Sequence, residues 1–223
     1  MKVTNLLEKF FKGLTVLETI ESRFNGIIKI DEDLFGHKRL MVGNLAQSGG
    51  DVEKIWKATI GKLAGYKIEN CLILGLGAGN AAKVVNKYFS KAKITGIEID
   101  PEMINLGNKY FGLKEIRNLK IEIENAFDWV DNCINGLIHC NSRFDLIMVD
   151  LYFGDCFPEK AEGNNFLENL KKITKKEGIV IFNHLFYGKN IEKTDKFEQK
   201  IRKVFTQIEA KKINYNKIFL CRK

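Results

Sequence analysis

The chain has 223 residues, 45% of them hydrophobic, with only two prolines and a formal net charge of +8. That length and apolar content suit one sizeable domain with at most a small appendage, and no Ser/Gly/Pro-rich linker marks a second full domain. The lysines behind the positive charge are spread over many segments with no basic stripe or interleaved aromatics, which speaks against nucleic-acid binding.

No apolar run approaches the roughly 20 residues that cross a bilayer, so no membrane association is expected. The start, Met1 to Gly13, is interrupted by Glu8 and Lys9 and shows no cleavage site, and a cytoplasmic location is expected. Thr4 caps a short predicted helix reaching Lys12. Strand-like runs follow at Thr15 to Glu21, Gly26 to Ile30 and Lys38 to Val42, with turn chemistry at Asn25-Gly26 and Phe35-Gly36. These form a small antiparallel appendage over residues 1–50, ending near Gln47-Ser48-Gly49-Gly50. Asp51 then reads as the N-cap of a helix to Leu63.

Over residues 51–223 the pattern becomes alternating strands and helices. Strands are predicted at Asn70 to Leu76, Ala92 to Ile99, Leu119 to Ile123, Phe144 to Leu151 and Gly178 to Leu185. Helices are predicted at Ala78 to Phe89, Pro101 to Phe111, Ala126 to Ile134, Asn164 to Ile173 and Ile191 to Val204. The tail, Phe205 to Ala210 and Lys217 to Cys221, reads as two strands on a short turn, which must pair antiparallel. The fold class is α/β: a doubly wound, mostly parallel seven-stranded sheet ending in one reversed strand, the outline of the class I methyltransferase fold. Cys71, Cys133, Cys140, Cys156 and Cys221 form no CxxC pair and the three histidines do not join them, so free thiols and no metal site are expected.

The chemistry-bearing residues fall at strand ends. Gly75-Leu76-Gly77-Ala78-Gly79 closes the first parallel strand and opens a helix. Glycines at alternate positions let the backbone turn sharply and approach a ligand, and the helix start offers free N–H groups. The spacing is not the dinucleotide GxGxxG, which disfavours an NAD-dependent oxidoreductase and suits a nucleoside without pyrophosphate. Glu98 ends the next strand, where a carboxylate can accept from both ribose hydroxyls. Asp100 precedes Pro101 and reads as a helix cap. Asn125 and Ala126 follow the third strand, where an amide and the next backbone N–H can meet an adenine edge, although Asn125 is equally a plain cap. Asp150 ends an apolar strand, so its carboxylate points out of the sheet's carboxyl edge, where ligands of open α/β sheets bind. Asp145 reads as a surface or turn residue, and Asp155 as a turn residue.

Taken in order, these residues resemble the spermidine synthase-like group of the class I S-adenosylmethionine-dependent methyltransferase fold, over nearly the whole chain. The resemblance implies that Gln47, at the end of Leu40 to Ser48, contacts the nucleoside. It gives Gly75, Gly77, Gly79, Glu98, Asn125 and Ala126 to donor binding and Asp150 to catalysis, orienting an acceptor amine and stabilising the cation formed on attack. The donor is S-adenosylmethionine or its decarboxylated form, with no metal, and the acceptor is a small molecule, an amine. A homodimer through the β appendage is also implied.

Four departures stand out, one of them the adenine-site Asp, which is Asn125 here. Polyamine-forming members carry an Asp inside the glycine loop, which this chain lacks. They follow the catalytic Asp with a Ser-Asp-Pro type stretch, where this chain reads Leu151-Tyr152-Phe153-Gly154-Asp155. Their Tyr-His-Glu after the Gln is replaced near Trp56-Lys57-Ala58. The family likeness sets aminopropyl transfer to an amine first; the departures set methyl transfer to an unidentified acceptor close beside it, and non-catalytic nucleoside binding stands third.

Overall fold

The computed structural model describes residues 13–138 and 143–223. The predicted helix from Thr4 to Lys12 lies outside them. The chain opens with β1 (Leu14–Ser22), β2 (Gly26–Asp33), β3 (Lys38–Val42) and β4 (Leu45–Ser48), an antiparallel sheet in sequence order. The fourth strand was not expected. The two-residue turn at Gly43-Asn44 folds Leu45–Ser48 back onto β3, and this places Gln47 on a strand.

The main sheet has seven strands in the order β10-β11-β9-β8-β5-β6-β7. Its strands are β5 (Asn70–Leu74), β6 (Lys93–Glu98), β7 (Leu119–Ile123), β8 (Phe144–Val149), β9 (Thr174–Leu185), β10 (Gln207–Ile213) and β11 (Asn216–Arg222). Strands β5 to β9 pair in parallel. The reversed strand is β11, and it lies between β9 and β10 rather than at the rim. Its hairpin to β10 turns on Asn214, the one non-glycine residue with positive φ among those described.

Among the described residues six α-helices connect the strands: α1 (Gly50–Ile60), α2 (Asn80–Tyr88), α3 (Pro101–Tyr110), α4 (Ala126–Ile134), α5 (Asn164–Ile173) and α6 (Asn190–Val204). The N-cap of α1 is Gly49, not Asp51; Asp51 lies in the first turn of the helix and pairs with Lys54. Asp100 does cap α3, accepting from the Glu102 N–H at 2.9 Å with Pro101 at the first helical position.

The continuous apolar strands explain the two-faced core. On β5, Cys71 and Ile73 face the layer of α1 and α2, while Leu72 and Leu74 face the layer of α4, α5 and α6. A third cluster joins the small sheet to α3, through Ile28, Ile30 and Leu40 against Met103, Leu106 and Phe111. Asp145 staples the sheet's lower edge, accepting from the Glu69 and Asn70 N–H groups and pairing with Lys175. Cys71, Cys156 and Cys221 are free thiols, but Cys133 is disulfide-bonded, against the expectation of free cysteines throughout. Among the described residues no helix is long and apolar enough to cross a membrane, and no cluster of side chains has metal-binding composition.

Candidate active site

The carboxyl ends of β5, β6 and β8 open into a cleft of about 860 Å³. Gln47, Gly75, Gly77, Glu98, Asn125, Ala126 and Asp150 all line it, having come from five separate segments of the sequence. Gly79 does not. Its φ is +93°, and a Cβ there would meet the Leu113 side chain at 2.3 Å, so this glycine serves helix packing beneath the loop.

Gly75 has a different constraint. Its φ is +85° and a Cβ would lie 2.2 Å from the Asp150 carbonyl oxygen. The loop therefore presses directly on the end of β8, and the Asp150 N–H in turn donates to the Leu74 carbonyl at 2.9 Å. Only a residue without a side chain fits between them.

Glu98 shapes the same loop. Its carboxylate accepts from the Gly77 N–H at 2.7 Å and the Asp100 N–H at 3.0 Å. Burial pushes its pKa up, and those backbone N–H groups oppose the rise. Each oxygen keeps a lone pair, and the residue lines the cleft, so hydroxyl donors from a ligand would relieve its desolvation. Asp100 then ties this wall to the small sheet: it accepts from Ser22 Oγ and, at 2.6 Å, from Asn25 Nδ2. Asn25 itself lines the cleft.

Asn125 is the N-cap of α4, accepting from the Phe127 N–H at 2.9 Å. The Ala126 N–H belongs to the first turn and has no intrahelical carbonyl to bond. An edge carrying both an acceptor and a donor thus faces the cleft.

Asp150 stands where two spaces meet. Beyond it lies a second compartment of about 470 Å³, walled by Leu45, Val52, Ile55, Leu185 and the amides of Asn183 and Asn216. Asp150 Oδ1 accepts from Asn183 Nδ2 at 2.8 Å. Burial raises the Asp150 pKa from 3.8 to about 6, the Asn183 hydrogen bond lowers it, and the nearby Glu98 charge adds to the rise. Tyr152 lines both spaces; its hydroxyl donates to the Asn183 carbonyl and accepts from the Leu185 N–H.

The loop after β8 closes the roof. Phe153 and Cys156 exchange two backbone hydrogen bonds around Gly154, and Gln47 Nε2 donates to the Gly154 carbonyl at 3.2 Å. Asp155 is drawn aside by Lys189, at 3.1 Å, and keeps to its turn. Trp56, where the polyamine-forming pattern has polar residues, is buried and lines the cleft.

Sequence reasoning missed Asn183, Tyr152 and Asn216. The signal for Asn183 was present: Asn183-His184 interrupts the apolar run Ile179 to Phe182 inside a buried strand.

The chain resembles known proteins in sequence and in fold. The model of the spermine/spermidine synthase domain matches residues 53–217. The chain belongs to this family. A relative in Drosophila melanogaster, the eEF1A lysine and N-terminal methyltransferase homolog, is 28% identical over 157 residues, covering 69% of this chain and 23% of the relative. The chain thus spans less than a quarter of that protein. Among solved structures, a probable spermidine synthase from Corynebacterium glutamicum superposes with a TM-score of 0.76 at 15% identity, over 92% of this chain and 79% of that one. Human methyltransferase-like protein 13, in complex with SAH, gives 0.64 at 23% identity over 77% and 79%. Relatives of this chain are methyltransferases or polyamine aminopropyltransferases by name, both kinds of transferase, and the fold is the mostly parallel seven-stranded α/β sheet of the solved neighbours.

Proposed function

We propose that this chain is an S-adenosylmethionine-dependent methyltransferase whose acceptor is a single amine on an aliphatic stem, such as a lysyl side chain. The observation that carries this reading is the compartment behind Asp150. Its walls are apolar or amide apart from the Tyr152 phenol, and Asp150 is the one carboxylate among its described lining residues. A polyamine brings a second ammonium into the site, and that charge would be buried there without a counter-ion. A single amine meets Asp150 and leaves its aliphatic stem against Leu45, Val52 and Ile55.

The donor side supports the same choice. The glycine loop holds no acid to bind the free ammonium of a decarboxylated donor. It leads instead into the first turn of α2, whose N–H groups and dipole favour a carboxylate. Glu98 suits the ribose hydroxyls, and Asn125 with the Ala126 N–H suits the adenine edge. Bound S-adenosylmethionine supplies an electrophilic methyl on a sulfonium, with a neutral thioether as leaving group. The protein's own part is alignment and exclusion of water. Asp150, ionised above about pH 6, accepts an N–H from the uncharged acceptor amine and holds its lone pair toward the cleft. It then stabilises the positive charge that grows on nitrogen.

The names of relatives such as the Drosophila methyltransferase homolog favour this reading over aminopropyl transfer, which the sequence motifs had set first. The family model and the likeness to the bacterial spermidine synthase keep aminopropyl transfer as the second reading. Calorimetry with S-adenosylhomocysteine and methylthioadenosine separates the two. Methyl transfer predicts tighter binding of S-adenosylhomocysteine, together with isotope transfer from methyl-labelled S-adenosylmethionine to amines of protein or peptide substrates. Preference for methylthioadenosine, with spermidine formed from putrescine and the decarboxylated donor, would overturn it.

A further inference from the structure

The hydrogen bond on Asp150 is the last link of a chain. Asn183 Nδ2 donates to Asp150 Oδ1 at 2.8 Å, and Asn216 Nδ2 donates to Asn183 Oδ1 at 2.7 Å. An ionised carboxylate can only accept. Asn183 must therefore turn its NH₂ toward Asp150, which leaves its oxygen facing Asn216, and Asn216 must answer with its own NH₂. The direction of both amides is thus set from one end. The backbone is held as well, because the Asn183 carbonyl accepts from Tyr152 and β11 pairs across it with Ile218 opposite Asn183. Asn183 and Asn216 are both buried, where amides without partners would be destabilising.

We infer that Asn183, oriented by Asn216, is a positioning residue that fixes the rotation of the Asp150 carboxylate, leaving Oδ2 to the acceptor N–H, and that helps keep this carboxyl ionised at neutral pH. The inference rests on the reading of Asp150 as the group that meets the acceptor. Among the described residues, neither the cleft nor the second compartment is lined by a lysine or arginine. The titratable groups that face Asp150 are Glu98, at the end of β6, and Tyr152, on the loop after β8, and neither stabilises an anion by its charge. The Asn183 N–H is therefore the main support of the charged form.

The relay can be tested without any turnover, by following the Asp150 carboxyl carbon in ¹³C-labelled protein through a pH titration, with Asp150→Asn to assign the signal. Leucine has the shape of asparagine without its polar atoms. Asn183→Leu is expected to raise the Asp150 midpoint by about one pH unit, as befits loss of a hydrogen bond to a charged group. Asn216→Leu, which leaves Asn183 free to rotate, is expected to raise it by less. S-adenosylhomocysteine affinity should stay within about twofold in both, showing that the donor cleft is intact, and the acid limb of the methyl-transfer profile should move with the midpoint. An unmoved midpoint in folded Asn183→Leu overturns the relay. A midpoint that moves in Asn183→Leu but not in Asn216→Leu removes Asn216 from it. Shifted midpoints in a protein that transfers no methyl group would leave the relay standing and remove the transferase reading beneath it.

Discussion

Asp150→Asn takes a negative charge out of a half-buried, desolvated site while keeping an oxygen that can accept from Asn183. The carboxyl's pKa stands near 6 in the folded chain against 3.8 in its absence, and at about 1.4 kcal/mol per unit this difference amounts to roughly 3 kcal/mol. The sign follows from which state holds the proton. Below pH 3.8 both states are protonated and Asp150 costs nothing. As pH rises toward 6, the unfolded chain releases its proton more readily than the folded one, so stability falls, and above 6 the full penalty remains. The asparagine variant carries no such penalty. Urea unfolding of both proteins across this range should show near-equal stability around pH 4 and an advantage for Asp150→Asn that grows to about 3 kcal/mol by pH 7. Glu98 is also raised by burial and tilts both proteins the same way, so it largely cancels in the difference. A difference that stays flat with pH, or an asparagine variant less stable at pH 7, would refute the idea that Asp150 is held ionised against its surroundings.

The glycine loop gives a graded series. Gly75→Ala forces a methyl against the Asp150 carbonyl in a left-handed conformation and should lose roughly 2–5 kcal/mol of stability. Gly77→Ala shares the positive φ but meets only the Met103 methyl at 3.7 Å, so it should lose about 1–2 kcal/mol. Chemical denaturation measures both, and equal losses would show that the loop is not pinned against β8. Glu98→Gln removes the charge that two backbone N–H groups and the proposed ribose hydroxyls share. Calorimetric affinity for S-adenosylhomocysteine should fall at least about tenfold. Unchanged affinity would leave Glu98 as a loop staple alone.

Glu98 and Asp150 were legible in the sequence because an apolar strand that must be covered on both faces can end in a carboxylate only at its open edge. The order of strands and helices was legible for the same reason: runs such as Cys71 to Leu74 have no reading but a buried strand. Side-chain direction was not legible within the loop. Gly77 and Gly79 look alike in sequence, yet one borders the cleft and the other packs on Leu113, a residue more than thirty positions away. Strand β4 escaped because Leu45–Ser48 is short and weakly β-forming, and pairing with β3 rather than local preference makes it a strand. Asn183 and Asn216 escaped because their meaning lies in a contact between strands 33 residues apart, and a lone polar residue in a strand does not name its partner. The compartment behind Asp150, built from both sheets, has no linear signature at all.

The clasp at Asp100 bears on where a working unit of this protein begins. One carboxylate caps α3 and receives Ser22 and Asn25, while its backbone N–H steadies Glu98. A fragment cut at residue 51 would keep every glycine of the loop and every parallel strand. It would nonetheless lack the cleft's Asn25 and Gln47, and the α3 cap would face water where the hairpin had been. The smallest piece that keeps the cleft whole is therefore set by the first hairpin and not by the edge of the larger sheet.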